Sequence, residues 1–198
     1  SGFDLGMKLR EHADKLGAEF EEDTVTAAEL GGEVKKIVCE NDTYLARAVI
    51  IATGAHHRKL GAKGEEILTG AGVSYCATCD GAFFKGKTTA VIGGGDVAIE
   101  DAIFLARMCS KVYLIHRRDE LRGAKSLQNR LMSLDNVEVI WDTVVEEIVG
   151  SDKVEALKLN NKKTGEKSEL KVDGVFVAVG IEPDSGQYAG QVETDNQG

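Results

Sequence analysis

An α/β fold is what this 198-residue sequence predicts, and three observations carry the prediction. Short aliphatic runs at 88–92 and 112–115 flank a glycine loop and a helix-length segment. That strand–loop–helix–strand order is the signature of a Rossmann-like unit with a parallel sheet. Stretches at 137–141, 144–149, 154–159 and 169–172 are short and rich in Val, Ile and Leu, and read as an antiparallel β-meander. A final apolar run, 175–179, ends at Gly180 and reads as one more buried strand.

The elements before this unit follow the same periodicities. Leu5, Leu9, Ala13 and Leu16 recur at spacings of three and four, so 4–16 reads as an amphipathic helix, stopped by Gly17. Strands are expected at 24–30 and 34–39, with Gly31-Gly32 turning the chain between them. Asn41-Asp42 makes the next turn, and 43–51 reads as a strand that runs into Ala52-Thr53-Gly54. The polar, glycine-bearing stretch 55–72 reads as a linker, and a second unit begins near Val73. Within that unit, 97–109 and 125–134 read as helices, and the polar turn 160–166 closes a hairpin.

Composition narrows the function. A formal net charge of −9 argues against nucleic acid as the main partner. Five of the 24 Lys and Arg nevertheless fall within 117–130, beside the glycine loop, which marks a local site. No apolar run approaches the ~20 residues of a membrane span, and the first residues do not read as a signal peptide. Four cysteines are too few for a secreted disulfide scaffold of this length. A close Cys pair in such a chain suits catalysis or metal binding, and a cytoplasmic location is expected.

The glycine loop reads as a nucleotide-phosphate site. Gly93 permits the tight turn out of the strand, Gly95 lets the backbone approach a pyrophosphate, and Ala98 keeps the helix close to the sheet. The helix N-terminus then directs its free N–H groups and its positive dipole end at the phosphates. About twenty residues on, where an acidic residue would select NAD, stand His116-Arg117-Arg118, followed by Arg122. Arginines at that point favour the 2′-phosphate of NADP.

Cys76-Ala77-Thr78-Cys79 places two thiols two residues apart, a spacing suited to reversible disulfide chemistry through a thiolate. Asp80 follows, either as a proton donor or as a turn residue before Gly81. Half a zinc site is the rival reading of the pair, but Cys39, Cys109 and the four histidines supply no second ligand pair at finger spacing. Cys39 and Cys109 read as inert buried thiols, and His56-His57 as a solvated turn.

Together, Val73-Ser74-Tyr75-Cys76-Ala77-Thr78-Cys79-Asp80-Gly81, Val91-Ile92-Gly93-Gly94-Gly95-Asp96 and His116-Arg117-Arg118-Asp119 with Arg122 resemble the low-molecular-weight thioredoxin reductases of bacteria. The resemblance implies an NADPH domain inserted in an FAD domain, and a homodimer that reduces thioredoxin. Residues 1–57 would be a partial FAD domain, 58–72 a linker, 73–182 the NADPH domain with its dithiol, and 183–198 the start of the return. Cys79 would be the flavin-proximal sulfur, Cys76 the attacking one, and Asp80 the proton donor. Gly93, Gly94, Gly95, Asp96, Val97, Ala98, Glu100 and Gly180 would line the nucleotide, and His116, Arg117, Arg118 and Arg122 would hold its 2′-phosphate. Ala52, Thr53 and Gly54 would belong to the flavin contact surface. The family's opening FAD loop and its closing Gly-Asp motif lie outside this sequence, so the resemblance implies an internal fragment that binds FAD poorly by itself. A peroxiredoxin-linked flavin reductase, or a nucleotide-binding module without turnover, are the alternatives. The arginines speak against the first, whose members often prefer NADH.

Overall fold

The computed structural model describes residues 2–195. Ser1 and residues 196–198, the outer ends of the expected flavin-domain segments, lie outside the described residues. The chain divides into two compact units, residues 1–54 with 183–198, and residues 55–182.

The first unit holds helix α1 (Gly2–Lys15) and an antiparallel sheet of β1 (Val25–Glu29), β2 (Lys35–Cys39) and β3 (Thr43–Ala46). No residue of α1 is buried, and Phe3, Leu5, Met7 and Leu9 all lie open. The strand expected over 43–51 stops at Ala46. Ala46 pairs with Lys35, the first residue of β2, so the apolar run beyond it has no ladder partner there and forms no strand.

The second unit is built in three layers. Its central sheet is wholly parallel, in the order β5 (Val73–Ser74), β12 (Gly174–Ala178), β6 (Thr88–Gly93), β7 (Lys111–Ile115), β8 (Val137–Ile140). Alternation along β6 assigns its two faces. Val91 joins Val112, Leu114 and Phe176 against helices α3 (Asp96–Ala106) and α4 (Lys125–Met132). Ala90 and Ile92 join Ile115, Val175 and Val177 on the other face. That face is covered by the antiparallel sheet of β9 (Thr143–Gly150), β10 (Val154–Asn161) and β11 (Lys167–Lys171), through Ile148, Leu157 and Leu159. Residues buried on both faces make the strands of the parallel sheet read as continuous apolar runs.

Three further expectations change. The stretch 137–141 is not part of the meander: β8 pairs parallel to β7 as the edge strand of the central sheet. Helix α4 lies between β7 and β8, and a strand–helix–strand crossover returns the chain in the same direction. Residues 58–72 are packed rather than free. Leu68 is buried in the meander-side core, and Lys63 exchanges backbone hydrogen bonds with β9 through Glu146 and Ile148. A Cβ on Gly64 would stand 2.2 Å from the Ile148 carbonyl oxygen, and its φ of +87° already favours glycine. The short strands β4 (Ala55–His57) and β13 (Ile181–Pro183) pair where the chain passes between units, so His56 and His57 lie on a strand and not in a solvated turn.

Candidate functional site

The glycine loop occupies the point where the strand order reverses. From β6 the chain proceeds to β7 and β8 on one side, while β12 lies on the other. A crevice at the carboxyl ends of the strands is expected there, and a cavity of about 360 Å³ opens at that place. Gly93 ends β6 at a φ of +156°, paired with Ala178, and a Cβ there would approach the Ala178 carbonyl oxygen to 2.3 Å and the Ala98 Cβ to 2.7 Å. Glycine at this place and alanine at 98 therefore let α3 settle on the sheet. A Cβ on Gly94 would strike the His116 ring at 2.2 Å. At Gly95, by contrast, a Cβ would meet nothing within 4 Å. The protein leaves open space over Gly95, beside the unpaired first-turn amides of α3, and this fits an approaching phosphate.

The basic loop after β7 is tied to the glycine loop by its backbone. Arg122 donates its N–H to the Gly94 carbonyl oxygen at 2.7 Å. Asp96 Oδ1 accepts the Ala124 N–H at 2.7 Å, so this carboxylate also holds the loop. Arg117 and Arg122 line the cavity; Arg118 does not. Among the described residues, none of the three arginines has a carboxylate within ion-pair distance, so their charge is available. His116 is 4% exposed, and its Nε2 has no hydrogen-bond partner among the described residues. Burial pushes its imidazole below the ordinary value, against backbone hydrogen bonding from Glu120 and Gly93 and with Arg122 and Arg118 adding to the depression. Its ring lies against Gly94 and lines the cavity.

The dithiol sits near the other end of α3. Strand β5 delivers the chain to Cys76, which caps helix α2 (Ala77–Asp80) and forms a disulfide with Cys79. Cys79 is exposed and Cys76 is half-buried. Cys76 Sγ accepts the Cys79 N–H at 3.2 Å and lies 3.4 Å from Thr78 Oγ1. A Cβ on Gly81 would come within 3.0 Å of Leu105 and 3.2 Å of Phe104, so the missing side chain lets this turn rest on the far half of α3. Ser74, buried and absent from the expectations above, donates its hydroxyl to Asp80 Oδ2 at 2.6 Å and accepts the Cys76 N–H at 3.1 Å. One hydroxyl thus orients both the acid and the backbone entering the dithiol. A buried serine two residues before a cysteine offers no sequence signal of its own.

Other expected residues are placed elsewhere. Glu100 lies outside the nucleotide cleft, lining a second hollow of about 320 Å³ with Thr78, Asp101 and Phe104. Asp101 beside it is pushed up to about 6 by burial and by the Glu100 charge, with His57 opposing. Gly180 takes a φ of +114°, and its carbonyl oxygen accepts the Arg58 N–H at 3.0 Å. Val97 is open to solvent on the first turn of α3. In the first unit Ala52, Thr53 and Gly54 are exposed, with Thr53 Oγ1 donating to the Asp184 carbonyl oxygen at 2.8 Å. Cys109 is buried and its thiol is raised by that burial, while Cys39 on β2 is half-buried and also raised, by desolvation and then by Asp23 and Asp42. Among the described residues, no three of His, Cys, Asp and Glu come together as a metal site.

Comparison with known proteins agrees with this geometry. Residues 5–198 match the model of the pyridine nucleotide-disulphide oxidoreductase family. The chain is 46% identical over all 198 residues to a thioredoxin reductase of Streptomyces coelicolor and, at the same identity, to one of Listeria monocytogenes, spanning 62% of the length of each. The crystal structure of Lactococcus lactis thioredoxin reductase superposes on the whole chain with a TM-score of 0.84 at 42% identity, the match covering 65% of that protein. With a match to that model over nearly its whole length, this chain belongs to the pyridine nucleotide-disulphide oxidoreductase family.

Proposed function

We propose that this chain is the nucleotide-binding and dithiol-bearing part of an NADPH-dependent thioredoxin reductase. The observation that carries the reading is a disulfide and a phosphate-ready glycine loop on one compact unit, packed near opposite ends of one helix. Residues 1–57 and 183–198 would contribute to an FAD domain, with Ala52, Thr53, Gly54 toward the flavin. Thioredoxin or a thioredoxin-like protein is the partner, the intact protein is a homodimer, and the unpaired thiols Cys39 and Cys109 suit a reducing cytoplasm.

NADPH would supply a hydride when bound, and FAD would convert it to the electron pair that a disulfide accepts. The chain's own residues do the rest. Gly94, Gly95 and the first turn of α3 receive the pyrophosphate, and Arg117 with Arg122 hold the 2′-phosphate, which separates NADPH from NADH. Reduction breaks the Cys76–Cys79 bond, and Asp80, whose Oδ2 accepts the Ser74 hydroxyl, would give a proton to the departing sulfur. The Cys76 thiolate attacks the partner's disulfide and forms a mixed disulfide. Cys79 then attacks Cys76 Sγ, which releases the reduced partner and restores the original bond.

Calorimetric titration of the chain with NADPH and with NADH tests the nucleotide half of this reading. Clear preference for NADPH is expected. Preference for NADH would move the assignment to the peroxiredoxin-linked relatives, and binding of neither would defeat it.

A further inference from the structure

The nucleotide cleft has a second basic wall that the expected motif does not include. Arg58, Lys59 and Leu60 line the same 360 Å³ cavity as Arg117 and Arg122. These residues come from the stretch expected as linker, yet their backbone is fixed at three points. The Arg58 N–H donates to the Gly180 carbonyl oxygen at 3.0 Å. The Leu60 and Gly61 N–H groups donate to the two carboxylate oxygens of Glu65, at 2.8 and 2.7 Å. Glu65 is itself 1% exposed and takes a third hydrogen bond from the Tyr75 hydroxyl at 2.8 Å. A buried carboxylate with only neutral donors is costly unless each oxygen is satisfied. Here it is satisfied by the backbone that presents Arg58 and Lys59 to the cleft.

The ion pairs that the two cations make are exposed to solvent. Lys59 pairs with Glu66, but both side chains are more than half exposed, and such pairs contribute little. Arg58 approaches Glu182 only to 3.6 Å, again with both side chains about half exposed. A dianionic phosphate entering the cleft would compete well against either carboxylate, because charge-assisted contacts to phosphate from several sides reinforce one another. Ile92, Ile115 and Val145 also line the cavity, and apolar lining reduces solvent screening of the charges it holds.

We propose that Lys59, with Arg58 beside it, is a specificity-determining residue for the 2′-phosphate, acting together with Arg117 and Arg122, which line the same cavity. The inference rests on the nucleotide reading above and adds residues to it. Its chemistry is that of a phosphomonoester on an adenosine ribose, so 2′,5′-ADP and 5′-AMP are the probes. They differ in the 2′-phosphate alone.

The test titrates the full 198-residue chain and its Lys59→Ala and Arg58→Ala/Lys59→Ala variants with each probe by calorimetry. Lys59→Ala should weaken 2′,5′-ADP about fivefold to tenfold, and the double variant further, while 5′-AMP affinity changes less than about twofold. Lys59→Arg should restore most of the loss, which a merely structural defect in the wall would not show. Unchanged affinity for 2′,5′-ADP in both variants, or equal losses for the two probes, would overturn the proposal while leaving the nucleotide site intact. If the unmodified chain takes neither probe, the nucleotide reading fails and this inference falls with it.

Discussion

Asp101 is a partly buried carboxyl whose charged form the fold disfavours. Burial, and then the neighbouring Glu100, raise it from 3.8 to about 6, and His57 offsets only part of this. The folded chain therefore binds this proton more tightly than the unfolded chain does. Its contribution to stability is complete below about 3.8 and is lost as pH rises through about 6. Asp101→Asn should then raise unfolding stability by about 1–2 kcal/mol at pH 7.5, allowing for partial exposure, and change it little at pH 3.5. Denaturant melts at the two pH values check this, and an equal effect at both would contradict the assigned cause. Arg117 presents the opposite case, a cation with no carboxylate within ion-pair distance among the described residues, on the rim of the cleft. Arg117→Ala should cost about 1.5–3 kcal/mol of NADPH affinity and leave NADH nearly unaffected, read by paired calorimetric titrations. Equal losses would mean that the side chain shapes the loop and does not contact the 2′-phosphate.

At the scale of elements, the three glycines between β6 and α3 have three different physical reasons, and substitution separates them. Gly94→Ala must displace the buried His116 ring, and Gly93→Ala must push against the Ala178 backbone from a left-handed φ. Each should destabilise the fold by about 1–3 kcal/mol, measured by thermal melting. Gly95→Ala meets nothing within 4 Å and should melt like the parent, yet weaken NADPH binding markedly, since its Cβ would occupy the space left for the pyrophosphate. A Gly95→Ala variant that binds normally would place the phosphates elsewhere. This loop was legible in the sequence because the constraint on it is local: strand, tight turn and helix are adjacent in the chain. The pair of thiols was legible for the same reason, since both lie within four residues of chain. What escaped were features set by partners distant in sequence. The edge strand β8 looked like a meander strand because a short apolar run does not report direction, although the helix before it does. The Arg58–Gly61 wall looked like a linker because its order comes from Glu65 and Gly180, and no periodicity marks a segment held by one buried carboxylate. The strand expected beyond Ala46 failed because a propensity needs a ladder, and β2 begins opposite Ala46.

Taken as a whole molecule, the chain pairs two units of very different internal packing. Residues 55–182 enclose apolar cores on both faces of a parallel sheet, with Val91, Ile99, Leu114, Leu157 and Phe176 essentially inaccessible to solvent. In the first unit, α1 is a 14-residue helix that buries no side chain, and helices of that length are marginal in water without tertiary packing. Amide exchange should therefore be graded by unit. The amides of α1 should exchange close to the rates of an unstructured peptide, and those of β6, β7 and β12 at least about a thousandfold more slowly, through opening of the parallel sheet. Nucleotide binding adds a second, selective effect. A ligand that binds only the folded second unit stabilises it by about 2.7 kcal/mol at a concentration one hundred times its Kd. Saturating NADPH should thus slow exchange in β6, β7 and β12 by about a further hundredfold while leaving α1 unchanged. Mass-spectrometric exchange with and without NADPH reads both effects in one experiment. Uniform protection across the chain would show that α1 is stabilised by packing not apparent in its exposure. Slowing confined to β9–β11, with none in the parallel sheet, would place the nucleotide away from the crevice between β6 and β12.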